Sequence, residues 1–253
     1  MMRSSVFIPM FLLSAVMFSC GTKKNAAVSD TSKTSLDWNG IYLYSDNNYK
    51  LPDIQLTLNP DGTYKLVAAA FGDESKNTYM KGTFEWDQQG RIIRLDNQIP
   101  HLNTNRLVVG ENTLFILTSE SADHRSLEGL EQFHKVQTDS NLVEKYWKLI
   151  SINDRVVTKD DFMSREPHLI FKSEFSRVNG NDGCNGFGGM YKLNGNTISF
   201  DKLISTMMAC PDSFVFEQFT KILQGNLTYQ ATEETLIIQS KKDILKFEVV
   251  YLR

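Results

Sequence analysis

The stretch NGNDGCNGFGG, residues Asn179 to Gly189, decides how the second half of this chain folds. Five of its eleven residues are glycine, and Cys184 lies near its centre. Glycine lets the backbone take positive φ values and lets two strands approach closely, and asparagine tolerates the same turns. The stretch therefore predicts a tight turn between strands that brings Cys184 to another part of the chain.

These glycines do not have the pattern of a nucleotide-binding loop. A Walker loop ends in Gly-Lys-Ser/Thr, so that the lysine and the hydroxyl reach the phosphates and the magnesium ion, whereas Gly189 is followed by Met190. A dinucleotide-binding glycine motif opens a helix, whereas residues Met190 to Leu193 have the pattern of a strand. We therefore expect no nucleotide cofactor at this loop.

Downstream of this stretch the sequence predicts a hairpin and then one helix. Asn194-Gly195 favours a type I′ turn that joins Tyr191–Leu193 to Thr197–Phe200. Apolar residues then recur at helical spacing between Asp212, a natural N-cap, and Gly225, a stop signal. The apolar face of this helix comprises Val215, Phe216, Phe219, Ile222 and Leu223.

The first half of the chain has the pattern of short strands joined by turns. Residues Ile54 to Leu58 alternate between apolar and polar, and Asn59-Pro60-Asp61-Gly62 follows as a turn. The predicted fold is mainly β, with a β-barrel-like N-terminal domain and an α+β domain that has an antiparallel sheet and one main helix. The predicted boundaries are 37–136 for the first domain, 137–141 for the linker and 142–253 for the second domain.

The N-terminus has the pattern of an exported protein. Val6 to Phe18 is an apolar run behind Arg3, and it is shorter than the roughly twenty residues that span a bilayer. The run ends in Met-Phe-Ser-Cys20, which resembles the cleavage box of bacterial lipoproteins. We therefore expect a signal peptide at residues 1–19, lipid on Cys20 and a flexible tether at 20–36.

Charge and the tether sequence set further expectations about location and partners. No acidic residue occurs between Cys20 and Asp30, so the resemblance to lipoproteins implies an outer-membrane location that faces the periplasm. The expected partners are a membrane, reached through the lipid anchor, and an envelope protein or ligand of unknown identity. The formal net charge of −3 does not indicate nucleic-acid binding.

The chain contains three cysteines, and their number constrains their pairing. If Cys20 carries lipid, Cys184 and Cys210 remain as an even pair in an exported chain. An oxidising compartment then favours a disulfide between them. A reduced, buried pair of thiols is the alternative that the same packing would allow.

Several motifs of the second half resemble the META domain, the family of the HslJ heat-shock lipoprotein. They are Trp147-Lys-Leu149, the glycine-rich block up to Tyr191, the block Ser205 to Cys210, and Glu217 on the predicted helix. The resemblance covers about residues 142–253 and implies a compact fold of sheet and helix in exported proteins linked to stress tolerance. Its motif residues here are Gly183, Asn185, Phe187, Gly189, Tyr191, Thr206 and Met208.

The first half resembles the N-terminal barrel of NlpE, whose family contains an envelope lipoprotein tied to copper and surface stress. The resemblance rests on Asp37-Trp-Asn-Gly-Ile-Tyr42, Leu51-Pro52, Leu56-Thr-Leu58 and Asp61-Gly-Thr-Tyr64. That family typically has a Cys-x-x-Cys pair after the proline, whereas here Pro52 is followed by Asp53 and Ile54. Since Cu(I) prefers cysteine or methionine ligands, this difference argues against a copper–thiolate role.

The sequence predicts no metal site, no catalytic residues and no cofactor. A zinc site needs about four Cys or His ligands, and Cys184 and Cys210 have only His168 within about twenty residues of either. Nothing in the sequence places His168 beside Cys184 as the base that a nucleophilic thiol requires. Met190, Met207, Met208 and Cys210 could form a soft copper site, but such methionines usually fill a core.

Three classes of function remain open. The first is a non-enzymatic envelope module that binds protein or cell-wall partners and contributes to stress tolerance. The second is a carrier of a small apolar ligand, or a copper-related binding protein, that uses the barrel. The third, a periplasmic enzyme, is disfavoured because no catalytic set can be assembled. A continuous apolar lining of the barrel would favour the second class, and tight packing by Phe71, Phe84, Trp86 and Phe115 would favour the first.

Overall fold

The computed structural model describes residues 31–46, 51–70, 73–118, 127–163, 165–210 and 213–251. The predicted signal peptide, the predicted lipidation site Cys20 and the predicted helix cap Asp212 lie outside these residues, as does Phe71. Within the described ranges, the protein is mainly β, as predicted. No helix in these ranges is long and apolar enough to cross a membrane.

The first half forms a closed antiparallel barrel of eight strands, in agreement with the predicted barrel. Each strand pairs with the next along the chain, and the last strand pairs with the first through Ile41 opposite Val136. The strands are β1 (Gly40–Tyr44), β2 (Ile54–Leu58), β3 (Thr63–Ala68), β4 (Thr78–Trp86), β5 (Ile92–Ile99), β6 (Thr104–Gly110), β7 (Thr113–Leu117) and β8 (Gln132–Val136).

Apolar side chains fill the barrel because alternate residues of each strand point inward. In β2, Ile54, Leu56 and Leu58 are buried, while Gln55 and Thr57 between them are partly exposed. The aromatic members of this core are Tyr42, Tyr44, Tyr64, Phe84 and Phe133, and all five are buried. Phe115, whose tight packing in the barrel would have favoured the first class of function, belongs to a small separate cluster with Ile92 and Val108.

The second half is a nine-stranded antiparallel sheet with one substantial helix, as predicted. The first strand, β9, also pairs with the last, β17, so eight of the nine strands form a continuous ring. The strands are β9 (Tyr146–Ile152), β10 (Arg155–Val156), β11 (His168–Phe171), β12 (Arg177–Asn181), β13 (Gly186–Asn194), β14 (Thr197–Ser205), β15 (Leu227–Ala231), β16 (Thr235–Gln239) and β17 (Ile244–Val250).

One helix closes the core of this ring. β14 and β15 pair only at Thr197 and Ile198, and the chain between these strands contains a helix at Phe214–Ile222 with Ser213 as its N-cap. Phe219 is fully buried, and its ring lies 5.9 Å from the rings of both Phe187 and Phe247. The helix therefore packs most of its predicted apolar face against the inner surface of the sheet, whereas Phe216 is only partly buried and lies outside the core.

The hairpin between β13 and β14 differs in register from the prediction. The two turn residues are Gly195 and Asn196, because Asn194 pairs with Thr197. Gly195 has φ 58°, whereas Asn196 is not among the residues with positive φ. A positive φ at the first corner alone is the pattern of a type II′ turn, so the predicted type I′ turn at Asn194-Gly195 is wrong.

Residues 174–177, where β12 begins, contact the barrel, and we call them the Phe175 corner. Phe175 is 1% exposed and has φ 54°, and its backbone N–H donates to Oε1 of Gln55 on β2 at 2.7 Å. The carboxylate of Glu174 accepts hydrogen bonds from Asn77 and Tyr79 of the barrel. The guanidinium of Arg177 lies over the Phe175 ring at 5.1 Å and pairs with a barrel carboxylate, Glu74.

The end of the predicted tether is ordered against the barrel. Residues Ser32–Ser35 form a helical turn, α1, which precedes the substantial helix α2 (Phe214–Ile222) in the chain. The N–H of Lys33 donates to the carbonyl of Gly90, and Leu36 packs on the barrel core. Residues 31–36 therefore belong to the folded body, because their hydrogen bonds and apolar contacts are made with it.

Candidate functional site

The glycine-rich stretch forms the turn between β12 and β13. Oδ1 of Asp182, which is 2% exposed, accepts the N–H groups of Cys184 at 3.0 Å and Asn185 at 2.6 Å. Oδ1 of Asn181 accepts the N–H of Gly183, which has φ 101°. Side-chain oxygens thus satisfy the backbone of a buried turn. Asp182 and Asn181 were not among the predicted motif residues.

Asn185 joins this turn to the segment before α2. Its Oδ1 accepts the hydroxyl of Thr206 at 2.9 Å and the N–H of Met208 at 2.8 Å, and its Nδ2 donates to Sγ of Cys210 at 3.4 Å. Cys184 and Cys210 form a disulfide with their Cα atoms 6.2 Å apart. We call Asn185, Thr206, Met208 and the disulfide the clasp, since together they fix residues 206–210 on the sheet.

The other predicted motif residues lie beside the clasp in structural positions. Phe187 packs edge-on against Phe219, and the Tyr191 hydroxyl donates to the carbonyl of Lys172 while its ring meets Phe171 edge-on. Burial raises the pKa of Tyr191, so the phenol stays neutral. A Cβ on Gly189 would lie 2.8 Å from the Asp201 carbonyl oxygen, which explains why this strand needs a glycine.

The clasp leaves an apolar patch on the surface. Met207, Ile204 and Met208 are 97%, 77% and 54% exposed. Met190 is not brought to this patch, because it pairs with Arg177 and Asp201 farther along β13. With Cys210 in the disulfide, the four residues considered as a soft copper site do not come together.

Replacing Asn185 by alanine is expected to lower the free energy of unfolding by about 2 kcal/mol, because three hydrogen bonds to a buried amide are lost at roughly 1 kcal/mol or less each. Urea denaturation of the oxidised protein measures the change. Asn194→Ala, at the exposed far end of β13, the strand that follows Asn185, is the matched control and should change stability by less than about 0.5 kcal/mol. An equal response of the two variants would contradict the proposed role of the clasp.

A cleft of about 940 Å³ lies between the barrel and the sheet. On the barrel side it is lined by the end of β1, most of β8 and the turn at Asn112, and on the other side by β13 and the first half of β14. Gln137 fixes one border, since its amide accepts the N–H of Gly195 at 2.8 Å and donates to the Gly195 carbonyl at 3.0 Å. The lining residues used below are Tyr44, Asn112, Glu131, His134, Lys192, Ser199 and Asp201.

The cleft presents both charges and neutral polar groups. The hydroxyl of Tyr44 donates to Oε2 of Glu131 at 3.2 Å, and burial together with this carboxylate raises the pKa of Tyr44 to about 12. Lys135, also at the cleft, is paired with Asp37 at 2.9 Å. Lys192 on β13 and Asp201 on β14 are both exposed. The site can therefore donate and accept hydrogen bonds along its length.

The remaining sequence candidates do not form a catalytic or metal-binding group. His168 stacks on Tyr146 at 4.4 Å, and its Nδ1 lies 2.8 Å from the Glu166 carbonyl. Burial lowers the pKa of His168, so the ring is neutral at pH 7. Among the described residues, no group of three or more His, Cys, Asp or Glu side chains could hold a metal ion.

Three solved structures are each similar to less than half of this chain. A proposed lipoprotein from Shewanella oneidensis is 28% identical over 43% of this chain and 98% of its own, with a TM-score of 0.34. A protein from Burkholderia xenovorans is 21% identical over 44% of this chain and 85% of its own, with a TM-score of 0.37. A DUF4847 family protein from Bacteroides vulgatus is 13% identical over 42% and 93%, with a TM-score of 0.31.

The family comparison divides the chain in the same way as the fold does. Residues 140–249, which hold the sheet and the clasp, match the family model of the META domain. Residues 52–126, which hold most of the barrel, match that of the NlpE N-terminal domain. No curated protein matched the chain. Both resemblances seen in the sequence are thus confirmed, and the chain joins a barrel that matches the NlpE N-terminal domain to a sheet that matches the META domain.

Proposed function

We propose that this chain is a lipid-anchored envelope protein that binds a protein or cell-wall partner, without catalysis, and so contributes to envelope stress tolerance. The observation that carries this proposal is the cleft of about 940 Å³ to which both halves contribute polar and charged side chains. The two family matches and the lipoprotein pattern that ends at Cys20 support an envelope location.

The cleft suits a binding role because its two walls are fixed relative to each other by specific contacts. The Phe175 corner and the Gln137–Gly195 pair hold the two walls in place. A preformed groove loses little conformational entropy when a ligand binds. This arrangement favours a partner that reaches across both halves over one that enters either core.

The chemistry of the lining indicates a polar, extended partner. Asn112 and Ser199 offer neutral donors and acceptors, and Lys192 and Asp201 offer one charge of each sign. A peptide or a glycan strand presents alternating donors and acceptors of this kind. A small apolar ligand fits less well, since the aromatic side chains of the barrel core occupy the space that it would need.

Site-specific photo-crosslinking in intact cells tests the proposal. A photoreactive amino acid replaces Lys192 or Ser199 in the cleft, or Lys221 on the exposed side of α2 as the control. We expect discrete crosslinked products from the two cleft positions and at least about fivefold less product from the control, as for an interface centred on one patch.

Mass spectrometry of the crosslinked products identifies the partner as protein or glycan. Products of equal yield from Lys221 and from the cleft would place the partner elsewhere and contradict the assignment of the cleft. Complete absence of products at the cleft, with each variant folded and anchored as judged by fractionation, would also overturn the proposal.

A further inference from the structure

A second cleft, of about 570 Å³, opens at the end of the barrel next to α1. Its walls come from the end of β4, from the turns that follow β2 and β4, and from residues 31–38. It shares no lining residue with the larger cleft. Its features are therefore independent of the proposed function.

Two tryptophans form adjoining walls of this barrel-end cleft. The rings of Trp38 and Trp86 have centroids 5.4 Å apart and an interplanar angle of 75°, and Phe84 lies 5.8 Å from Trp38 at 82°. Nε1–H of Trp38 donates to the Lys33 carbonyl, which fixes the orientation of that indole. Both indoles are only partly buried, so aromatic surface faces the cleft.

Three carboxylates line the same cleft as these rings. They belong to Asp61, Glu85 and Asp87, and the one positively charged residue among the described residues of the lining is Lys33. Oδ1 of Asp61 accepts the N–H and the hydroxyl of Thr63, and Oδ1 of Asp87 accepts the N–H groups of Arg91 and Ile92. These turns fix Asp61 and Asp87 through one carboxylate oxygen each, so the other oxygen can interact with a ligand.

We propose that the barrel-end cleft binds the ammonium group of an organic cation in the angle formed by the rings of Trp38 and Trp86. The negative face of an indole attracts an alkylammonium group, and two indole walls set nearly at right angles can contact it from two sides. The three carboxylates add a long-range attraction that a neutral ligand of the same shape would not feel. The hydrogen bonds to Thr63 lower the pKa of Asp61, which keeps this carboxylate ionised at neutral pH.

The rim of the cleft is preorganised by backbone hydrogen bonds. The N–H of Phe84 donates to the Gly62 carbonyl at 2.9 Å, and the N–H of Lys33 donates to the Gly90 carbonyl at 3.0 Å. Gly62 and Gly90 have φ values of 82° and 62°, which the two turns require and which favour glycine. The aromatic walls therefore hold their geometry before a ligand arrives.

Choline and its neutral isostere 3,3-dimethyl-1-butanol are the probes that test this inference. The chain from residue 21 onwards, ¹⁵N-labelled, is titrated while the indole N–H signals of its three tryptophans are followed. Choline should shift the signals of Trp38 and Trp86 but not that of Trp147, which is fully buried in the other half. The neutral probe should bind about tenfold more weakly, because it lacks the positive charge that the indole rings attract.

Two variants separate the contributions of the rings and the charges. Trp86→Ala should abolish the shift of the Trp38 signal, and Glu85→Gln should weaken choline binding severalfold without altering the fold. Glu233→Gln, at an exposed turn between β15 and β16, is the matched control. Equal affinity for choline and the neutral probe, or shifts that survive in Trp86→Ala, would overturn the inference.

The ammonium group could belong to a free solute or to a lipid headgroup, and vesicles distinguish these sources. Binding of free choline with no preference for phosphatidylethanolamine over phosphatidylglycerol vesicles indicates a soluble ligand. Preferential binding to phosphatidylethanolamine vesicles that is lost in Trp86→Ala indicates a headgroup. No binding of either probe, free or in vesicles, would show that the cleft has no affinity for organic cations.

Discussion

Replacing Phe219 by alanine is expected to lower the free energy of unfolding by about 3–5 kcal/mol, the range for removing a buried phenylalanine from a core. Phe219 is fully buried where α2 meets the sheet, and its ring contacts those of Phe187 and Phe247. Alanine would leave a cavity between these rings and would also reduce the apolar area that holds α2 in place. Denaturant unfolding followed by tryptophan fluorescence measures the loss.

Phe216→Ala is the matched control for this prediction. Phe216 lies on the same helix but is only partly buried, so its removal should cost less than half as much. If Phe219→Ala costs less than about 1.5 kcal/mol, or no more than Phe216→Ala, then α2 does not close the core in the way described. Since the two changes remove the same side chain from the same helix, helix propensity cancels in the comparison.

Local sequence patterns were enough to predict the helix on which the effect of Phe219→Ala depends, and some of the strands. The spacing of Val215, Phe219 and Ile222 predicted the helix and its buried face, and the alternation at Ile54–Leu58 predicted a strand with one face inside. These patterns repeat within a few residues and reflect burial on one side. The closure of β9 on β17 could not be found in this way, because the paired residues are about a hundred positions apart.

The candidate sites could be predicted only where their residues lie close together in the sequence. The motif residues around Cys184 are grouped in two short blocks, and the structure brings these blocks together at the clasp. Neither cleft was predicted, because each is lined by side chains from separate strands and turns. The corner at Phe175 was also missed, since a positive φ at a phenylalanine is fixed by tertiary contacts and has no signal in the sequence.

Replacing both Cys184 and Cys210 by alanine is expected to lower the free energy of unfolding by about 3 kcal/mol, because the crosslink limits the freedom of the unfolded chain. The two residues are 26 positions apart, and the loop that they close contains the whole hairpin of β13 and β14. Equilibrium unfolding of the oxidised protein and of the variant measures the difference. Met207→Ala, at a side chain that is 97% exposed, is the control and should be nearly neutral.

The disulfide and Asn185 hold the same short segment, so their contributions should depend on each other. In the intact protein, the disulfide keeps residues 206–210 beside Asn185, and little further entropy is lost when the amide bonds Thr206 and Met208. Without the disulfide, those hydrogen bonds must also order the segment. Asn185→Ala should therefore cost less in the double-alanine background than in the oxidised protein. Additivity to within about 0.5 kcal/mol would mean that the two parts of the clasp act independently.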